Sequence, residues 1–103
     1  MSWLQKQVNK NPDKLFIHKG EKQFSYLDVG EMTLTYTRAL LKEGIQPQDR
    51  ILIYLPGGVE MVEIILACFE IGAVAAPIST KFTDSERKQI INTIQPRLII
   101  TNW

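Results

Sequence analysis

Residues 50–80 read RILIYLPGGVEMVEIILACFEIGAVAAPIST. The segment opens with RILIYL, residues 50–55, a continuous apolar run with a charge before it and a proline after it. Runs of this kind suit a strand buried on both faces, as in a parallel sheet. VEMVEIILACFEI follows as a helix pattern that is apolar nearly all round. Glu60, Glu63 and Glu70 share one narrow side of it, with Ala67 between them. A helix so apolar is expected to be mostly covered. Gly72 ends it, and AVAAPI, residues 73–78, is a second buried strand whose small side chains let a helix pack closely. Strand, helix and strand with this spacing make a βαβ unit.

The same alternation extends outward. After residue 78, TDSER is a capping box, with Thr83 at the N-cap and Glu86 three residues on. Ile90, Ile91 and Ile94 are expected on the buried face of that helix, Pro96 stops it, and RLIIT at 97–101 is the last strand. Before residue 50, Ser25 and Asp28 open a helix from Tyr26 to about Glu43, closed by Gly44. Leu27, Leu34 and Leu41 recur every seven residues in it, and Val29, Met32, Tyr36 and Leu40 widen the expected buried face. KLFIHKGEKQFSY reads as a hairpin, with strands at 15–18 and 23–25 around a turn at 19–21. Trp3, Leu4 and Val8 suit one face of a short first helix that Pro12 closes. The fold class is therefore α/β: a mainly parallel sheet of βαβ units, helices on both faces, and an antiparallel hairpin near the start.

Composition narrows the function. The chain has 103 residues, 45% hydrophobic and 22% charged, which is globular rather than disordered. A net charge of +1 with scattered basic residues gives no support for a nucleic-acid or anionic-membrane partner. One cysteine excludes an internal disulfide and makes a cytoplasmic location the default. Neither a signal peptide nor a membrane span is visible, since Glu70, Gly72 and Pro77 interrupt the most apolar stretch.

LPGGVE, residues 55–60, is a glycine-rich turn between a strand and a helix, a place where many enzymes hold phosphate. A nucleotide-triphosphate loop needs GxxxxGK followed by a hydroxyl, and a dinucleotide loop needs GxGxxG; neither is present. Glu60 in the first turn would repel phosphate and itself complements the helix dipole. The chemistry favours a structural turn. His18 has no catalytic or metal-binding companion near it in sequence, and Cys68 between Ala67 and Phe69 behaves as a small core residue. The glutamate side of the central helix has no metal-ligand pattern and reads as a solvated edge or an interface. STKF, residues 79–82, follows the carboxyl end of a parallel strand, where α/β sheets bind ligands. Ser79, Thr80 and Lys81 place two hydroxyls and one cation there, although residue types alone favour the plainer reading, a polar loop leading to a capped helix.

Three stretches, in order, resemble the start of the adenylate-forming (AMP-binding) superfamily, which contains acyl- and aryl-CoA ligases, luciferases and nonribosomal adenylation domains. FSYLDV resembles the family's TYxEL stretch. GIQPQDRILIYLPGGVEMVEIILACFEIGAVAAPIST is similar to its GDRVAIxLPN…GAVxVPLNP segment, and FTDSERKQIINTIQPRLIIT to the helix and strand that follow. The STKFT segment is similar to that of o-succinylbenzoate-CoA and fatty acyl-CoA ligases. The resemblance implies that residues 1–103 are the N-terminal portion of an AMP-binding domain, incomplete and without an internal boundary. It implies a reaction in which a carboxylic acid attacks the α-phosphate of ATP, with Mg2+, to give an acyl-adenylate. Coenzyme A then displaces AMP to give a thioester.

The family's phosphate loop, ribose-binding aspartate and catalytic lysine have no counterpart among these residues. By the resemblance no catalytic or metal-binding residue falls in this chain, which is expected to be inactive alone. One position carries across: the arginine of the family's NPRL segment contacts the phosphorylated nucleotide part of coenzyme A in some aryl-CoA ligases, and Lys81 stands there. A lysine still binds phosphate, as a point charge rather than a fork. ST in place of NP departs from the pattern and leaves the loop's path open. An incomplete domain is also expected to expose apolar surface through which it could self-associate. Two rival readings remain: a nonribosomal-type adenylation domain, and a self-contained α/β binding module. The second lacks the acidic residues or hydroxyl-rich loop that response-receiver or flavodoxin-like modules need.

Overall fold

The computed structural model describes residues 3–19 and 22–101, and no side chain at residues 3, 15–19 or 22. The chain runs α1 (Trp3–Lys10), β1 (Leu15–Lys19), β2 (Lys22–Ser25), α2 (Tyr26–Lys42), β3 (Arg50–Tyr54), α3 (Val59–Ile71), β4 (Val74–Pro77), α4 (Asp84–Ile94) and β5 (Leu98–Thr101). β1 and β2 form an antiparallel pair with a register shift between Leu15 and Ile17. The expected turn at Gly20 and Glu21 lies outside the described residues. β3 is the centre of a parallel sheet of order β4-β3-β5, with Ile53 opposite both Pro77 and Ile100.

β3 is where the sheet is buried on both sides. Ile51, Leu52 and Ile53 are at most 1% exposed, so both faces of the strand are covered, as the continuous apolar run predicts. Ile51 and Ile53 join Leu40 of α2 and Ile64, Ala67 and Cys68 of α3 in the core. Leu52 and Tyr54 point to the other face by the alternation of a strand, and there Arg87 of α4 lies over the Tyr54 ring. Helices therefore cover both faces, α2 and α3 on one and α4 on the other.

Local signals set the helix ends. Ser25 Oγ accepts from the Asp28 N–H while the Asp28 carboxylate accepts from the Ser25 N–H, a capping box at the start of α2. Thr83 and Glu86 do the same for α4. Gly72 closes α3 at φ 85°, a left-handed conformation that glycine adopts without a steric cost. Gly30 has a packing role instead: a Cβ there would sit 2.7 Å from Val8 Cγ2, so its bare backbone lets α1 approach α2.

Three expectations are corrected. The seven-residue leucine repeat of α2 is not its buried face: Leu27, Leu34 and Leu41 are 38%, 48% and 53% exposed, and Met32 is also exposed. The buried line is Val29, Thr33 and Leu40, because α2 packs chiefly on α3 and that contact selects a different side of the helix. Ile90, Ile91 and Ile94 of α4 are only half-buried, since no described element covers the outer flank of that helix. The glutamates of α3 are not one solvated edge. Glu60 and Glu70 are exposed, but Glu63 is buried beside α2, whereas the apolar Phe69 on the same helix is exposed.

Candidate functional site at the carboxyl edge of the sheet

Three parallel strands share one carboxyl edge, and two βα connections leave from it. The first is the 55–58 turn between β3 and α3; the second is the 78–83 segment between β4 and α4. Crevices at this edge are the usual ligand sites of α/β sheets.

The 55–58 turn needs glycine at one position. Gly58, the N-cap of α3, has φ 155° and ψ −165°, a region essentially closed to residues with a Cβ. A Cβ on Gly57 would meet nothing within 4 Å, and no positive φ occurs there. The turn is structural at Gly58 and permissive at Gly57. It borders a cavity of about 760 Å³ between β2, α2 and α3, lined by Asp28, Glu31, Glu60 and Glu63 and, among the described side chains, by no lysine, arginine or histidine. Four carboxylates without a cation are hostile to phosphate. The sequence argument against a nucleotide loop in LPGGVE therefore has a direct electrostatic basis.

Glu63 is the unusual member. It is 4% exposed, and burial raises its carboxyl from the ordinary 4.5 to about 6, with the neighbouring Glu60 charge adding to the rise. Tyr36 of α2 is raised as well, first by burial and then by Glu60 and Glu63. Cys68 is fully buried, and burial pushes its thiol up, which makes it a core group and not a nucleophile.

The 78–83 segment has the opposite character. Ile78 N–H donates to Ile53 O at 3.0 Å and extends the sheet by one residue. Ser79 Oγ accepts from the Lys81 N–H at 3.1 Å, so that hydroxyl shapes the loop itself. Tyr54 Oη donates to Thr80 O at 3.1 Å and pins the loop to the end of β3. Arg87, in the second turn of α4, stacks on the Tyr54 ring at 5.0 Å and pairs with Asp84. Lys81 stands exposed between these anchors in the sequence. Arg87 and Tyr54 escaped the sequence reading, because their meeting joins residues 33 apart. Their signal was positional: an aromatic at the carboxyl end of a buried strand and a basic residue one turn past a capping box. The backbone of His18 pairs with Gln23, and its side chain lies outside the described residues. Among the described residues, no three His, Cys, Asp or Glu side chains stand where they could hold a metal ion. No helix among them is long and apolar enough to cross a membrane.

The family model for AMP-binding enzymes matches residues 4–102. Among curated relatives, 2-succinylbenzoate–CoA ligase of Oceanobacillus iheyensis is 35% identical over 101 residues, which is 97% of this chain and 21% of that protein. Enterobactin synthase component F of Escherichia coli O157:H7 is 30% identical over 95 residues, 92% of this chain and 7% of that protein. Among solved structures, o-succinylbenzoate CoA synthetase of Bacillus subtilis with ATP and magnesium superposes with a TM-score of 0.90 at 20% identity, over 99% of this chain and 28% of that one. The chain thus spans about a fifth or less of these curated relatives' length.

Proposed function

Because the chain belongs to the family of AMP-binding enzymes, we propose that residues 1–103 are the N-terminal portion of an ATP-dependent acid–thiol ligase. The whole enzyme joins a carboxylic acid to ATP as an acyl-adenylate, releasing pyrophosphate, and then passes the acyl group to coenzyme A. Mg2+ supplies charge neutralisation at the transferring phosphate, and we assign it no ligand on this chain. The observation that carries this reading is the match over 97% of the chain to a CoA ligase at 35% identity. The likeness to enterobactin synthase component F supports a second reading, a nonribosomal-type adenylation domain with the same first step and a carrier-protein thiol as acceptor.

On this reading the present residues are scaffold. They supply the buried β3, its two covering layers and one edge of a ligand crevice. Lys81 is the one residue with a proposed ligand role, a contact to a phosphate of coenzyme A. Its exposure, its place at the carboxyl edge and the two bonds that fix its loop support that role. The exposed Leu27, Leu34, Leu41 and Phe69 are surface that the rest of the enzyme covers, and through which the chain alone self-associates.

Carboxylate-dependent exchange of labelled pyrophosphate into ATP tests the activity. The 103-residue chain alone should show none, and the whole protein should show exchange with an aliphatic or aromatic carboxylic acid. Thioester formation with free coenzyme A separates the two readings. Absence of exchange with every carboxylic and amino acid offered would defeat both.

A further inference from the structure

The peptide unit that leads into Lys81 is held from both sides. Its carbonyl, Thr80 O, accepts from Tyr54 Oη at 3.1 Å, and its N–H, that of Lys81, donates to Ser79 Oγ at 3.1 Å. The two groups belong to one rigid plane, so the two bonds fix how that plane is turned. The place of the Lys81 Cα follows, and the direction in which its side chain leaves depends on the Lys81 φ alone. The Ser79 bond spans two residues and travels with the loop. The Tyr54 bond spans 26 residues and ties the plane to the sheet.

Tyr54 is itself firmly seated. It closes β3, the strand covered on both faces, and is 8% exposed. Its backbone stands opposite Thr101 of β5. The Arg87 guanidinium lies 5.0 Å over its ring, and Arg87 pairs in turn with Asp84, the first residue of α4. The loop has an anchor at each end: the Ile78 N–H bonded to Ile53 O before it, and the Thr83 capping box after it. The tyrosine hydroxyl meets the loop between those anchors, at the peptide that carries the cation.

We propose that Tyr54 is a positioning residue for Lys81: its hydroxyl aims the lysine's peptide so that the ammonium is presented to a phosphate of coenzyme A. This rests on the contact proposed above for Lys81. A lysine is a point charge on a flexible stem and loses rotamer freedom when it holds a phosphate. A fixed backbone root limits that loss and keeps the cation within reach. Phenylalanine at position 54 would keep the ring, its packing and the Arg87 stack, and would remove only the oxygen.

The test is a double-mutant cycle in the whole enzyme, read as KM and kcat for thioester formation with coenzyme A. Lys81→Ala should raise the KM for coenzyme A about fivefold. Tyr54→Phe should raise it about threefold with kcat held within about twofold, the size of effect that one hydrogen bond supplies. In the Lys81→Ala background Tyr54→Phe should change the KM by less than about 1.5-fold, because the cation it aims is gone. If Tyr54→Phe does not fold, Ser79→Ala takes its place in the cycle, since the exposed Ser79 holds the other side of the same peptide. A raised KM in Lys81→Ala with none in Tyr54→Phe overturns the proposal and leaves the Lys81 contact standing. An equal effect of Tyr54→Phe with and without Lys81, or a parallel fall in kcat and pyrophosphate exchange, overturns it by making Tyr54 a residue of the fold alone. If Lys81→Ala leaves the KM unchanged, the Lys81 contact itself fails and the proposal falls with it.

Discussion

Two connections leave the same edge of the same sheet one βα unit apart, and they have opposite character. The 55–58 turn has a glycine in a conformation strained for any other residue and a wall of carboxylates. The 79–82 loop is polar, held by a tyrosine hydroxyl and a serine hydroxyl, and flanked by Lys81 and Arg87. By motif shape alone the glycine turn looks like the phosphate site. By charge the other loop is the better candidate, since a phosphate needs counter-charge as well as bare amides. Topology names the edge where ligands gather, and electrostatics decides which connection on that edge can take which ligand.

Substitutions can break this contrast, beginning with the largest effect. Gly58→Ala forces a Cβ into a glycine-only conformation and should cost about 2–3 kcal/mol of stability, read by urea denaturation, while Gly57→Ala should cost under about 0.5 kcal/mol. Equal costs would mean that the turn is not held as described. Glu63→Gln comes next, and its sign depends on pH. The carboxyl titrates near 4.5 when exposed and at about 6 when folded, so its protonated form favours the fold. That contribution is fully present below about pH 4.5 and is lost as pH rises through about 6, a difference of about 2 kcal/mol. The glutamine variant should therefore gain on the wild type by up to that amount between pH 4.5 and pH 8. A gap that stays constant with pH would mean that Glu63 is not desolvated.

Smaller effects belong to the polar loop. Thr83→Ala removes half of the capping box that joins the loop to α4 and should cost about 1 kcal/mol, seen as a lower urea midpoint with an unchanged slope. Lys81→Ala should change stability by less than about 0.5 kcal/mol, because the exposed side chain supports nothing in the fold. A larger loss there would assign Lys81 to structure and weaken its ligand role.

What was legible in the sequence was what short-range chemistry dictates. Ser25 with Asp28 and Thr83 with Glu86 announce their caps within four residues. Gly72 announces a helix end, and the apolar run at 50–55 announces a strand covered on both faces. Periodicity told which residues of α2 share a side but not which side would be covered. Leu27, Leu34 and Leu41 form the tidier repeat, yet the contact with α3 buries Val29, Thr33 and Leu40. Glu63 reads from the sequence as one member of a stripe with Glu60 and Glu70, a solvated edge or an interface, because helical spacing shows the stripe and not α2 lying over one point of it. The Tyr54–Arg87 stack and the acidic cavity are likewise products of elements meeting across the sequence. Lys81 was found by resemblance and by its place after a parallel strand; the sequence shows Arg87 as a basic residue one turn past a capping box, but only the fold shows that it meets Tyr54.

The most direct test of the account is a single comparison in the whole enzyme, wild type against Lys81→Glu, following both half-reactions. The account predicts unchanged pyrophosphate exchange and a KM for coenzyme A raised about fivefold or more, the loss of about 1 kcal/mol expected when one exposed cation–phosphate contact is removed. An unchanged KM for coenzyme A, or a loss of pyrophosphate exchange to the same extent, would contradict it.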